Sequence, residues 1–234
     1  MGDIIMAKTS DNNAAQNFGR VFLLSASLLL APAIAGAETA NEATIQQDES
    51  APIQKIKELV QELKSTTEGR LQRVAAAIIA DTAAQPGTGP QTRKEAFITL
   101  IALLNHYDKN IRDIAVDGIG RAGVVDALYA EKAYNIIDNL TDNNRYTPDV
   151  GLMGIGIEHT GKLGAASKNL SERAFEKLDG VLQNYRDLSL QAQAIKGIGR
   201  IGAAQQDFRQ KATNSLQSLI SDKGSHSYLR AMAR

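Results

Sequence analysis

Apolar residues along most of this chain recur at helical spacing. Ile111, Ile114, Ala115, Gly118, Ile119 and Ala122 fall at i, i+3, i+4, i+7, i+8 and i+11, which is one broad face of an α-helix. A second amphipathic stretch accompanies each such segment. Its apolar members are Phe97, Leu100, Ile101 and Leu104, then Ala133, Ile136, Ile137 and Leu140. Phe175, Leu178, Val181 and Leu182 follow in the next, and Ala212, Leu216, Leu219 and Ile220 in the last. No stretch alternates apolar and polar positions long enough to make a half-buried strand. The pattern predicts an all-α chain of helical hairpins.

The hairpins repeat. "IRDIAVDGIGRAG" from Ile111 aligns with "LMGIGIEHTGKLG" from Leu152 and "LQAQAIKGIGRIG" from Leu190, offsets of 41 and 38 residues. The same frame reaches back to "LQRVAAAIIADTA" from Leu71 and forward to "LRAMAR" from Leu229. A two-helix unit of this size cannot hide its own apolar face, so the units must stack into an α-solenoid. The expected layout is a leading helix over 52–67, repeats starting near 69, 109, 149 and 188, and a partial fifth from 226.

Glycine inside a helix costs about 1 kcal/mol relative to alanine, so its recurrence needs a cause. At Gly118, Gly120, Gly197 and Gly199 the missing side chain is expected to admit a neighbouring helix, with dispersion contacts offsetting the propensity loss. Gly123, Gly164 and Gly202 are expected to end the first helices in the left-handed cap conformation.

These residues carry a resemblance. Ile111, Arg112, Ala115, Gly118, Ile119, Gly120 and Gly123, and likewise Leu190, Ala194, Gly197, Ile198, Gly199, Ile201 and Gly202, resemble the first helix of HEAT and HEAT-like repeats. Gln191 stands where that pattern has arginine, and the units from Leu71 and Leu152 fit more loosely. The resemblance implies an α-solenoid used as a protein-binding or scaffolding module, and it points to the polar face of the second helices. The candidate partner-binding residues there are Lys132, Asn135, Asn139, Lys177, Gln183, Gln210 and Asn214.

Superposed repeats also turn single residues into rows. Asp108, Asp149 and Asp187 each precede a first helix by a few residues, where a carboxylate caps free backbone amides and complements the positive helix end. Arg121, Lys162 and Arg200 sit near the carboxyl ends of first helices. They either complement the helix dipole and pair with carboxylates of adjoining units, or form an anion track along one edge. Tyr107, Tyr146, Tyr185 and Tyr228 fall in the connections, as staples of the entering chain or as an interaction ridge.

Composition narrows the chemistry. Lys plus Arg equals Asp plus Glu at 26 each, so no global field draws the chain to nucleic acid. Cysteine is absent, which removes disulfides, thiolate metal sites and cysteine nucleophiles. Three histidines remain, and their spacing assembles no triad and no metal site. His159 stands where Gly118 and Gly197 stand in other units. It is the centre of the competing reading, an enzyme or enzyme subunit of the HEAT-like hydroxylase or lyase type. The favoured reading is non-catalytic, with no cofactor, no metal and no nucleic-acid partner.

The amino-terminal region supplies the targeting expectation. Arg20 precedes "VFLLSASLLLAPAIA", and "AGA" at 35 to 37 matches the small-x-small pattern of a cleavage site, so residues 1–37 read as a secretory signal. Residues 38–51 read as a solvated acidic linker. The mature chain is then expected in the periplasm or outside the cell, without a membrane segment. An apolar edge of Leu216, Leu219, Leu229 and Met232 suggests self-association through the last unit.

Overall fold

The computed structural model describes residues 50–143, 149–222 and 224–234. The signal segment, the acidic segment up to Glu49, and Tyr146 lie outside the described residues. Among the described residues there is no strand and there are ten α-helices: α1 Ser50–Ser65, α2 Gly69–Ala84, α3 Pro90–Leu103, α4 Lys109–Val125, α5 Ala127–Asn143, α6 Val150–Ala166, α7 Lys168–Asn184, α8 Leu188–Ala204, α9 Arg209–Ser221 and α10 Ser227–Met232. α1 starts at Ser50, so Ser50 and Ala51 are helical and are not part of the acidic segment.

Four hairpins, α2–α3, α4–α5, α6–α7 and α8–α9, stack in sequence order into an all-α helical-repeat solenoid. α1 packs on α2 and α3, and α10 packs on α8 and α9. The first helices α2, α4, α6 and α8 lie directly against one another, and each second helix also leans on the first helix of the next unit. One continuous core runs from Ile56 through Ile79, Leu100, Ile119, Ile137, Leu163, Leu178 and Ile198 to Ala212. A smaller cluster under α10 holds Ala192, Ile195 and Leu229.

Three of the first helices, α4, α6 and α8, start where the chain supplies a carboxylate. Asp108 accepts from the Asn110 amide at 2.8 Å, Asp149 from that of Leu152 at 3.1 Å, and Asp187 from those of Ser189 and Leu190 at 2.9 and 3.1 Å. Against a desolvation cost of opposite sign, amide bonds together with nearby cations hold the Asp108 and Asp149 carboxyl groups below the usual range, and the Ser189 hydroxyl with the Leu190 and Ser189 amides does so for Asp187.

The glycines expected to end the first helices do something else. α4, α6 and α8 run on to Val125, Ala166 and Ala204, and the only described glycine with positive φ is Gly87, in the α2–α3 connection. Each of the other three hairpins reverses through a residue in extended conformation: Asp126, Ser167 and Gln205. Gly123, Gly164 and Gly202 instead face an alanine of their own second helix. A Cβ on them would lie 2.6, 2.5 and 2.6 Å from the Cβ atoms of Ala133, Ala174 and Ala212. They set the spacing within the hairpin.

Between units the expectation of close approach holds for three of four glycines. A Cβ on Gly118 would meet that of Ala80 at 2.7 Å, one on Gly161 would meet the Gly197 Cα at 2.5 Å, and one on Gly120 would collide with the His159 ring. Gly197 is likewise closed in by Leu178 at 2.7 Å. Gly199 differs: nothing lies within 4 Å of its Cβ position, so no neighbouring helix explains it.

Candidate functional site

Among the described residues, three groups of polar side chains recur across units. The first ties three of the connections to the helix that follows. Arg112 donates to the carbonyls of His106 and Tyr107 at 2.9 and 3.0 Å. At the equivalent position of other units, Gln72 donates to the carbonyls of Leu63 and Thr66, and Gln191 to that of Leu182. In these three units a long donor side chain makes the tie, so glutamine replaces arginine without its loss; in the unit from Leu152 the position is held by the buried Met153. The sequence showed the substitution but not its equivalence.

The second group is the cation row with its carboxylates. Arg121 reaches back to Asp81 of the preceding unit at 2.9 Å, and its Nε lies 2.8 Å from Asp117, near enough for attraction but misaligned for a hydrogen bond. Lys162 pairs with Glu158 at 2.8 Å one turn earlier. Arg200 is exposed and adds its field to Glu158. Two members of the anion track are therefore neutralised by carboxylates of their own array. The capping aspartates take other cations: Arg73 lies 3.7 Å from Asp108, and Lys109 lies 3.3 Å from Asp149.

His159 joins this row from inside. Its ring is 1% exposed and lies against Gly120, and its Nε2 is 3.0 Å from Asp117 Oδ1. That hydrogen bond leads the causes that hold the Asp117 carboxyl low, with Arg121 contributing and burial opposing. His159 Nδ1 is buried without a hydrogen bond. The imidazole fills the space that Gly120 vacates, which explains why a ring stands where other units have glycine. His106 is also buried and belongs to a connection, where its Nδ1 accepts from the Asp108 amide at 3.1 Å. Burial pushes its pKa down, partly offset by Asp108.

The third group lies on the second helices. Lys132, Asn135 and Asn139 on α5, Gln183 on α7, and Gln210 and Asn214 on α9 are exposed. Lys177 is not available in the same way, with a side chain 14% exposed and its ammonium 2.6 Å from both Asp138 and Asp142 of α5. It is a bridge between successive second helices. Arg173 does the same work, donating to Glu131 and to Asn135 while its guanidinium lies over the Tyr134 ring. Asn135 is thus engaged, Gln183 donates to Asp179, and Gln210 donates to Asn214. Lys132 and Asn139 are the exposed residues of this set least committed to a neighbour.

The tyrosines form no uniform row. Tyr107 is 73% exposed, stacks on His106 and donates its hydroxyl to Gln72 at 2.9 Å. Tyr185 packs against the core, whereas Tyr228 is exposed. No group of three or more His, Asp or Glu side chains among the described residues is arranged to hold a metal ion. No described helix is long and apolar enough to cross a membrane.

One buried cation escaped sequence reading. Arg93, near the start of α3, donates to the carbonyls of Ala83 and Gln85 at 3.2 and 2.9 Å and pairs with Asp126 at 2.6 Å. It joins the end of α2 to the α4–α5 reversal. Its only sequence signal is a charge set ten residues after Ala83, where later units place Ala133, Ala174 and Ala212 at the same distance from a glycine.

The architecture places this chain in the class of all-α helical-repeat solenoids. No protein-family model and no curated protein matches it. In fold it is similar to three engineered proteins whose crystal structures were solved by the Northeast Structural Genomics Consortium. One is 15% identical with a TM-score of 0.52, covering 76% of both chains. A second is 16% identical with a TM-score of 0.51, covering 97% of this chain and 91% of that one. The third, at 15% identity and a TM-score of 0.50, covers 96% of this chain and 54% of that one. At these identities the likeness shows the fold alone.

Proposed function

We propose that this chain is an exported HEAT-like repeat protein that acts without catalysis, as a protein-binding or scaffolding module. The observation that carries this reading is the exposed polar row across three consecutive second helices: Lys132, Asn135 and Asn139, then Gln183, then Gln210 and Asn214. Amides on rigid helices offer hydrogen bonds at fixed spacing and almost no net charge. Such a surface suits a polypeptide better than a polyanion. The HEAT-like pattern at Ile111 and Leu190 supports the family reading. The uncharged run after Arg20 supports export, with a mature chain starting at Glu38.

The test is capture from the native envelope by the full chain, followed by titration of the recovered partner. Replacing Lys132, Asn139 and Asn214 with alanine should weaken that partner's affinity by about tenfold, roughly 1.4 kcal/mol, with an unchanged melting temperature. Undiminished binding overturns the assignment of this face. Amino-terminal sequencing of the native protein checks the export reading, which fails if the chain retains residues before Glu38.

One observation favours the competing reading, an enzyme or enzyme subunit centred on His159: its Nδ1 is buried without a hydrogen bond. Metal analysis of the native protein and a His159→Ala variant separate the two. Stoichiometric metal that is lost in the variant would replace the binding reading with the enzymatic one.

A further inference from the structure

The second helices carry a ladder of charge. Aligned on their buried faces, Ala96, Ala133, Ala174 and Ala212 are equivalent, each followed four residues later by an aliphatic of the core: Leu100, Ile137, Leu178 and Leu216. On α7 and α9 the residue just before this alanine is a cation that reaches back to the preceding second helix. Arg173 pairs with Glu131 at 3.2 Å, and Lys211 lies 4.0 Å from Glu172. Both carboxylates stand two residues before the alanine of their own helix. Each cation also lies over the ring that follows that alanine, Arg173 over Tyr134 at 4.6 Å and Lys211 over Phe175 at 4.8 Å. The same register therefore governs both junctions.

The junction of α3 with α5 breaks the ladder. On α5 the cation of this register is Lys132, and on α3 the position that carries glutamate in the next two helices holds Lys94. The register thus sets two ammonium groups opposite each other with no carboxylate between them. Both lysines are exposed, and neither forms an ion pair or a hydrogen bond among the described residues. The carboxylates beside them in sequence are engaged elsewhere: Glu131 with Arg173, and Glu95 with the Gln91 amide at 3.4 Å. Like charges so placed repel, and an anion shared between them turns that repulsion into attraction.

We infer that an acidic side chain of the bound polypeptide, glutamate or aspartate, sits between Lys94 and Lys132 and completes the missing rung. The protein's own array shows which anion fits this register, since Glu131 and Glu172 fill it at the next two junctions. A polyanion is disfavoured by what lies further along α5, where Asp138 and Asp142 share the single ammonium of Lys177 and leave negative charge in excess. A lone carboxylate avoids that field, and the amide of Asn139 stands free for the neighbouring backbone. The inference rests on the protein-binding reading of this face. It adds the sign of the partner's charge and the place where that charge lands.

The test titrates the full chain with a fluorescently labelled hexaglutamate at low ionic strength, with hexaglutamine, hexalysine and inorganic tripolyphosphate as comparison probes. Hexaglutamate should bind, hexaglutamine should not, and added salt should weaken the binding. Lys94→Glu supplies the missing carboxylate from within the array, so it should weaken hexaglutamate about tenfold without lowering the melting temperature. Lys132→Glu should do the same from the other side. With both substitutions together the preference should switch to hexalysine. Lys196→Glu, the same change at an exposed lysine of the first-helix layer, should leave hexaglutamate binding unaltered. Binding that survives Lys94→Glu and Lys132→Glu, or falls equally with Lys196→Glu, overturns the inference. So does tripolyphosphate displacing hexaglutamate from these lysines more tightly than hexaglutamate itself binds. A partner captured from the native envelope that binds parent and Lys94→Glu equally well overturns the charge site and leaves the protein-binding reading standing. Capture of no partner, with hexaglutamate still dependent on both lysines, overturns that reading and leaves the charge site standing.

Discussion

Two glycines in the middle of first helices, Gly161 and Gly199, give opposite predictions for the same change. Alanine at either gains the same helix propensity, about 1 kcal/mol. At Gly199 the new Cβ meets nothing within 4 Å, so the gain is unopposed and stability should rise by about 0.5–1 kcal/mol. At Gly161 the new Cβ would lie 2.5 Å from the Gly197 Cα, which is backbone and cannot rotate away. Ordinary contact begins near 3.4 Å, so α6 and α8 would have to part by about 1 Å along a buried seam. Overpacking costs about 1–3 kcal/mol; a contact this short against backbone belongs in the upper half of that range, about 2–3 kcal/mol, so after the propensity gain the net loss should be about 1–2 kcal/mol. The assay is urea and thermal unfolding followed by circular dichroism, at concentrations low enough to keep the chain monomeric. For a body of this size 1 kcal/mol moves the midpoint by about 2–4 °C. Gly199→Ala should therefore melt higher and Gly161→Ala lower than the parent. A Gly161→Ala variant as stable as the parent would refute the claim that glycine is present to seat the neighbouring helix.

Three further outcomes follow from single side chains. Arg93→Ala should cost about 3–4 kcal/mol, because it strands Asp126 and two carbonyls in a mostly buried site, while Arg93→Met should cost less; urea midpoints measure both. Burial lowers the folded-state pKa of His106, so its neutral form favours the native state. That contribution is complete above the unfolded value near 6.5 and is lost as pH falls from there through the folded value. Unfolding free energies measured between neutral and mildly acid pH should fall less in His106→Gln than in the parent. Asp187 is held low by its bonds to Ser189 and to the Leu190 amide, so its contribution is present above the ordinary aspartate range and is lost as pH falls below it. Asp187→Ala should cost about 1 kcal/mol at neutral pH, and the difference from the parent should vanish in strong acid.

The repeat, the pairing of helices into hairpins and the caps at Asp108, Asp149 and Asp187 were all legible along the chain. They rest on short-range rules: apolar spacing tells which face of a helix is hidden, and a carboxylate before that face tells where the helix starts. The alignment of units even placed Arg121, Lys162 and Arg200 at one position. It did not say that Asp81 and Glu158 already answer two of those charges. Nor did it show that Lys177 is held between Asp138 and Asp142, while Lys132 on the same layer stays exposed.

Gly123, Gly164 and Gly202 show why. In the sequence they look like helix terminators, since that is the commonest local use of a glycine near the end of an apolar run. Their role as spacers against Ala133, Ala174 and Ala212 depends on how two helices cross, which no window along one of them contains. The same holds for His159, whose ring fits only because Gly120, a full unit earlier, has no side chain. The chain by itself determined that helices form, where they begin and that they must stack. The offset and rotation of one helix on the next, which decide what each side chain touches, came only from packing, because that geometry is fixed by contacts about forty residues apart.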